Sequence, residues 1–141
     1  MATERYYSCP KCRKRTRSSD LLFDILMDFP KSIPNCSCGE SNELVLIPPF
    51  AFGAGGSCYK VLDAFHESVS WKDESNKQVA FYPFLLVLEN ADNKSQTIWL
   101  PYWHIHETKR KFGERAPWMD AEMFDGLLAK ARAKGYLRES E

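Results

Sequence analysis

Cys9-Pro10-Lys11-Cys12 and Cys36-Ser37-Cys38-Gly39 decide how this chain is read. Four of its five cysteines fall into two tight pairs, one spaced C-x2-C and one C-x-C, with 23 residues between the pairs. A pair that close can aim both sulfurs at one ion, and two such pairs supply the four donors of a tetrahedral structural zinc site. Pro10 inside the first pair and Gly39 after the second suit tight turns that point backbone N–H groups at sulfur. Two disulfides or plain buried thiols are the rival readings of the same cysteines. One structural Zn²⁺ on Cys9, Cys12, Cys36 and Cys38 is the expectation.

The pattern resembles the zinc-ribbon group over roughly residues 5–47. In that group two cysteine-bearing turns, or knuckles, clamp one zinc at the end of small β-hairpins, which is what the resemblance implies here. The sequence departs from it at Cys36-Ser37-Cys38, where one residue rather than two separates the cysteines. Zinc ribbons serve nucleic-acid binding, protein docking and simple folding alike, so the resemblance does not choose a function.

The chain has 141 residues, enough for one ordinary domain or a small zinc module fused to a compact partner. A hydrophobic content of 44%, with 13% aromatic, supports a real core. The first residues lack the apolar core of a signal peptide, and no run approaches the ~20 apolar residues that cross a bilayer. A soluble, reducing, cytoplasmic setting without membrane contact is therefore expected, and there clustered cysteines bind metal more often than they cross-link. Cys58, alone in Gly55-Gly56-Ser57-Cys58-Tyr59, reads as a small buried residue.

Zero net charge hides a segregation. Residues 1–18 carry Arg5, Lys11, Arg13, Lys14, Arg15 and Arg17 against Glu4 alone, the middle of the chain is acidic, and the tail is mildly basic. A protein that coats nucleic acid would be basic throughout. The run at Arg13, Lys14, Arg15 and Arg17 has two readings: it balances the negative charge of four thiolates on a divalent ion, or it contacts phosphates. Lys109, Arg110 and Lys111 form a second basic stretch, read as part of a loop over 109–115, and are further candidates for nucleic-acid contact.

Between the knuckles, apolar residues at 21, 22, 25, 26 and 29 behind Ser18 or Ser19 predict a short serine-capped helix that Pro30 and Pro34 end, with a strand as the alternative. Residues 43–47 read as a strand, and the Pro- and Gly-rich stretch 48–57 as a connection without a phosphate-cradling motif. Residues 60–71 read as one half-exposed strand. Val79 to Leu88 is apolar on both faces and predicts a central strand, with Pro83 marking a bulge or bend. A polar turn over 90–95 leads to a partner strand over 97–106. Asp120 opens the clearest helix, with Met123, Phe124, Leu127, Leu128 and Ala131 in one stripe, Gly126 marking a close approach and Gly135 as the stop.

The fold expected is α+β: a zinc-ribbon module over 1–47, the 48–57 connection, and over 58–141 an antiparallel sheet of three to four strands with a C-terminal helix packed on it. Three functions follow in order. The first is a small non-enzymatic binding or regulatory protein that docks on a protein partner. The second is nucleic-acid binding through the basic knuckle, with Tyr6, Tyr7 or Trp103 available to stack on bases. The third is a small metal-dependent enzyme using His104 and His106, which a strand puts on one face, with His66 or Glu107 imagined as further ligands. Glu107 points to the opposite face, and no nucleophile motif stands elsewhere.

Overall fold

A computed structural model describes residues 3–47, 58–113 and 118–137; the connection expected over 48–57 lies outside the described residues. The strands are β1 (Glu4–Ser8), β2 (Arg15–Arg17), β3 (Glu43–Ile47), β4 (Tyr59–His66), β5 (Val69–Lys72), β6 (Gln78–Asn90), β7 (Gln96–Trp99), β8 (Tyr102–His106) and β9 (Lys109–Gly113). The helices are α1 (Leu22–Met27) and α2 (Ala121–Ala133). All strands join one sheet in the order β2-β1-β3-β4-β6-β8-β9, with β5 and β7 also pairing with β6. Every register given by the structure is antiparallel, as between β1 and β3 or β8 and β9.

The expected sheet of three to four strands is therefore wrong: the described residues form nine. The stretch over 60–71 is two strands, because the chain breaks pairing at Glu67–Ser68, where the Glu67 N–H turns to the Pro83 carbonyl at 3.1 Å. The stretch over 97–106 is also two, interrupted at Leu100 and Pro101. The Pro101 carbonyl accepts from the Phe84 N–H at 2.9 Å. The basic loop over 109–115 is a strand through Gly113, paired with β8 along its whole length. β1 and β2 belong to the same sheet, since β3 pairs with β1 on one side and β4 on the other.

β6 is the central strand its composition announces. Phe84, Leu85, Leu86 and Val87 are fully buried, which an apolar run achieves only when both faces of the strand are covered. Pro83 has no N–H to give, and it lies where β6 changes partners: β5 pairs as far as Phe81, and β8 as far as Pro83.

Two compact units divide the chain, with β4, β6 and β7 contributing to both: Met1–Ala64 with Val87–Thr97, and Phe65–Leu86 with Ile98–Glu141. In the first, the register puts Tyr7, Leu44, Leu46 and Tyr59 on one face, and all four are buried. α1 buries Leu22, Phe23, Ile25 and Leu26 in the same unit. Its start is not a serine cap. Ser18 Oγ accepts from the Asp20 N–H, leaving Leu21 at the N-cap without a side-chain bond. Asp20 anchors this entry instead, its carboxylate accepting from Tyr7 Oη at 3.0 Å and its carbonyl from Arg5 Nε at 2.6 Å.

In the second unit α2 buries Leu127 and Ala131 completely. Asp120 is its N-cap residue, though its side chain makes no cap bond, and Gly135 follows the helix in the left-handed region at φ 92°. Lys130 reaches the His66 carbonyl at 2.7 Å and the Glu67 carboxylate at 3.3 Å. Gly126 does mark a close approach, since a Cβ there would stand 1.9 Å from Glu67 Oε1. No helix among the described residues is long and apolar enough to cross a membrane.

Candidate metal centre

The two knuckles are built on one plan at two lengths. In the first, the Cys9 N–H bonds the Lys14 carbonyl and the Arg13 N–H returns to the Cys9 carbonyl, both at 2.9 Å. In the second, the Cys36 N–H bonds the Glu40 carbonyl at 2.7 Å and the Gly39 N–H returns to the Cys36 carbonyl at 2.9 Å. The residue after each second cysteine turns the chain through the left-handed region: Arg13 at φ 61° and Gly39 at φ 95°. Removing one residue from the C-x2-C spacing therefore replaces a five-residue turn with a four-residue turn and keeps the closure. That is why C-x-C still presents two sulfurs to one side.

The four sulfurs converge. Cys9 Sγ lies 3.5 Å from Cys38 Sγ, Cys12 Sγ lies 3.4 Å from Cys36 Sγ, and all four fall within 4.8 Å of one another. Four sulfurs about 2.3 Å from a tetrahedral ion would sit about 3.8 Å apart, so the cluster fits a metal of that kind. The five cysteines are all free thiols. Cys9 is buried, Cys36 half-buried, and Cys12 and Cys38 are exposed, so the cluster has one inner and two outer corners. Beside it, Lys14, Thr16, Asn35 and Asn42 line a polar recess of about 180 Å³ that Cys36 also borders.

Backbone donors sort the thiols. The Cys12 N–H, 3.4 Å from Cys9 Sγ, holds Cys9 below the ordinary thiol value. The Cys38 N–H does the same for Cys36, down to about 6. At Cys38 the Glu40 N–H also pulls downward, but sharing a proton with Cys9 and facing Cys36 outweigh it, and the thiol rises to about 11. At Cys12 the Lys14 N–H is likewise outweighed by Cys36 and Cys9, and the net shift is upward. Cys9 and Cys38, and likewise Cys12 and Cys36, stand close enough for one sulfur of each pair to donate to the other. A soft divalent ion suits this set, because it exchanges thiol protons for bonds to all four sulfurs.

The basic candidates fall in both units. Arg15 and Arg17 lie on β2 opposite Ser8 and Tyr6, all on one face of the β1–β2 pair. The Arg15 guanidinium sits 5.7 Å from the centroid of the Tyr6 ring and its Nη1 lies 3.9 Å from Cys58 Sγ. Cys58 is half-buried with an arginine beside it, a neighbour that its lone place in the sequence did not suggest. Arg13 and Lys14 are exposed in the first knuckle. Lys109, Arg110 and Lys111 are on β9 in the other unit, where Lys109 and Lys111 pair with His106 and His104.

The histidine pair is occupied elsewhere. His106 Nε2 is 2.7 Å from Asp73 Oδ2, and the His104 ring stacks on Phe81 at 4.9 Å. Glu107 turns away at φ 59° and meets Lys77 at 3.9 Å. His66 packs against Phe84 at 5.4 Å, where burial and then Lys130 hold its imidazole below the usual histidine value. Among the described residues, the four cysteines are the group whose donor atoms converge as metal ligands.

No protein-family description, no curated protein and no solved structure matches this chain. The likeness to zinc ribbons accordingly rests on the cysteine spacing and the knuckle geometry, and it is the four convergent sulfurs that could hold a metal ion.

Proposed function

We propose that Cys9, Cys12, Cys36 and Cys38 hold one structural Zn²⁺, and that the chain is a zinc-stabilised, non-enzymatic binding protein acting through a protein partner. The observation that carries this reading is the pair of closed knuckles presenting four sulfurs within 4.8 Å of one another. Four protein thiolates fill a tetrahedral ion and leave no position for substrate or water, which is the arrangement of a structural site. The complex would carry charge −2, and Lys11, Arg13 and Lys14 in the first knuckle supply opposite charge beside it. For a protein partner, the support is the exposure of Trp71, Phe112, Trp118 and Phe124, large apolar side chains on one unit.

The test is metal content and cobalt substitution of protein purified without chelator. One equivalent of zinc, and a cobalt form with the intense absorption of tetrahedral thiolate ligation, are expected. Cys38→Ser should lose that equivalent, since ligand loss removes most of the binding free energy. A Cys38→Ser protein that keeps one equivalent of zinc and a native melt refutes the site, and iron in place of zinc refutes the choice of metal.

One observation favours nucleic acid as the partner: Tyr6, Arg15 and Arg17 share a face, an aromatic ring with guanidinium groups beside it. Anisotropy of labelled single-stranded DNA, duplex DNA and RNA across a salt series separates the two partners. Affinity that falls steeply with salt, and vanishes when Arg13, Lys14, Arg15 and Arg17 become alanine, establishes nucleic acid.

A further inference from the structure

In the second unit, β5 and the start of α2 border a groove of about 390 Å³. Trp71, Phe81 and Trp118 line it, Phe81 the most buried of the three, and among the described residues Asp120 is the charged one of its lining. The remaining lining is aliphatic or thioether, including Met119 and Met123. Trp118 is 97% exposed and Trp71 43%, so neither indole serves mainly as core.

The described side chains of this lining favour a cation. Aromatic faces carry negative potential and attract a cation within about 6 Å of the ring centroid, Trp most strongly. Methionine sulfur is polarisable. The Asp120 carboxylate adds a full negative charge, and it makes no hydrogen bond to the helix's own N–H groups. The N-terminus of α2 opposes a cation with about half a positive charge, which Asp120 and Glu122 in the first turn exceed. Desolvation then selects among cations. An apolar groove takes a weakly hydrated ion, and N-methyl groups spread the charge and remove the water that holds a bare ammonium or a metal ion in solution. The volume lies at the small end for ligand sites, which suits a head group rather than an extended molecule.

We propose that this groove binds a methylated ammonium group, held between Trp71 and Trp118 over Phe81 with Asp120 as counter-ion. The proposal concerns a different unit from the cysteine cluster and stands without the zinc reading. The ammonium belongs either to a free small molecule or to a methylated lysine side chain, and these two sources are the arms of the test.

The experiment is calorimetric titration of the full, metal-loaded chain with choline, with a trimethyllysine peptide, and with 3,3-dimethylbutanol, which keeps the shape of choline without its charge. Choline or the peptide should bind saturably, and the neutral alcohol about tenfold or more weaker. Trp118→Ala and Trp71→Ala should each weaken binding about three- to tenfold, and Asp120→Asn should weaken it chiefly at low salt. Both indoles are substantially exposed, and an unchanged melt would show that each variant folds. Tighter binding of the peptide assigns the site to a partner's side chain, and tighter binding of choline assigns it to a free ligand. Equal affinity for the alcohol, no binding of either cation at millimolar concentration, or tryptophan variants with unchanged affinity would each overturn the proposal.

Discussion

Replacing Gly126 and Gly113 by alanine should move stability in opposite directions, and the structure says why. Both glycines have a neighbour where a Cβ would go, at 1.9 Å for Gly126 and 2.0 Å for Gly113. At Gly126 that neighbour is the end of the Glu67 side chain, with the Cδ at 3.0 Å and the Cγ at 3.6 Å. The carboxylate can swing aside, and the loss is its 3.3 Å pair with Lys130, whose two side chains are 29% and 48% exposed. A pair of that exposure is worth at most about 1 kcal/mol. Against it stands the gain of about 1 kcal/mol for alanine over glycine inside a helix. Gly126→Ala should therefore be neutral to stabilising by about 1 kcal/mol. At Gly113 the neighbour is the ring of Tyr102, its cross-strand partner, boxed in by Phe81 at 5.9 Å and His104 at 5.7 Å. A ring held on two sides cannot swing, so Gly113→Ala should cost about 1–3 kcal/mol by overpacking. Urea unfolding followed by circular dichroism reads both as shifts of the midpoint at constant slope. A loss above about 1 kcal/mol at Gly126, or no loss at Gly113, would refute the account of what each glycine faces.

Asp73 should make the protein sensitive to acid. The His106 hydrogen bond first, then the backbone N–H groups of Lys77 and Ser75, hold its carboxyl below the usual range. A depressed carboxyl contributes stability above its unfolded value near pH 4, and that contribution is lost as pH falls through the folded value. The stability gap between the protein and Asp73→Asn should thus close below about pH 4; a gap unchanged from pH 7 to pH 3 would contradict the pairing. Cys58→Ser should keep the full metal content, because Cys58 contacts Arg15 and lies outside the four-sulfur cluster. Loss of metal in that variant would show that the fifth cysteine has been misplaced.

The four-cysteine cluster was legible because close spacing is a short-range constraint: two cysteines in one turn are fixed relative to each other whatever surrounds them. α2 was legible for a similar reason, since its stripe and Gly135 are local signals. The strand count was not. β2 is three residues, Arg15-Thr16-Arg17, all exposed, and β9 begins Lys109-Arg110-Lys111. Neither shows an apolar alternation, because their pairing is supplied by backbone hydrogen bonds to β1 and β8 rather than by burial of their own side chains. Over 60–71 a loose alternation ran on past Glu67, and 97–106 was read as one strand across Pro101, whereas hydrogen bonds with Pro83 and Phe84 mark the two breaks. The entry to α1 misled for another reason: Ser18 spends its hydroxyl oxygen on a turn at Asp20 before the helix begins.

β2 and β9 stand at the two ends of the sheet's strand order, and both carry unbroken or alternating basic side chains along their exposed length. An outermost strand offers its unpaired N–H and C=O groups to any other chain, and like charges are a common defence against that encounter. Two copies approaching edge to edge would bring Arg15 and Arg17, or Lys109, Arg110 and Lys111, against their own kind. Basic side chains on such an edge oppose its extension by another chain, so stripping these arginines and lysines to test for phosphate contact would also remove that protection.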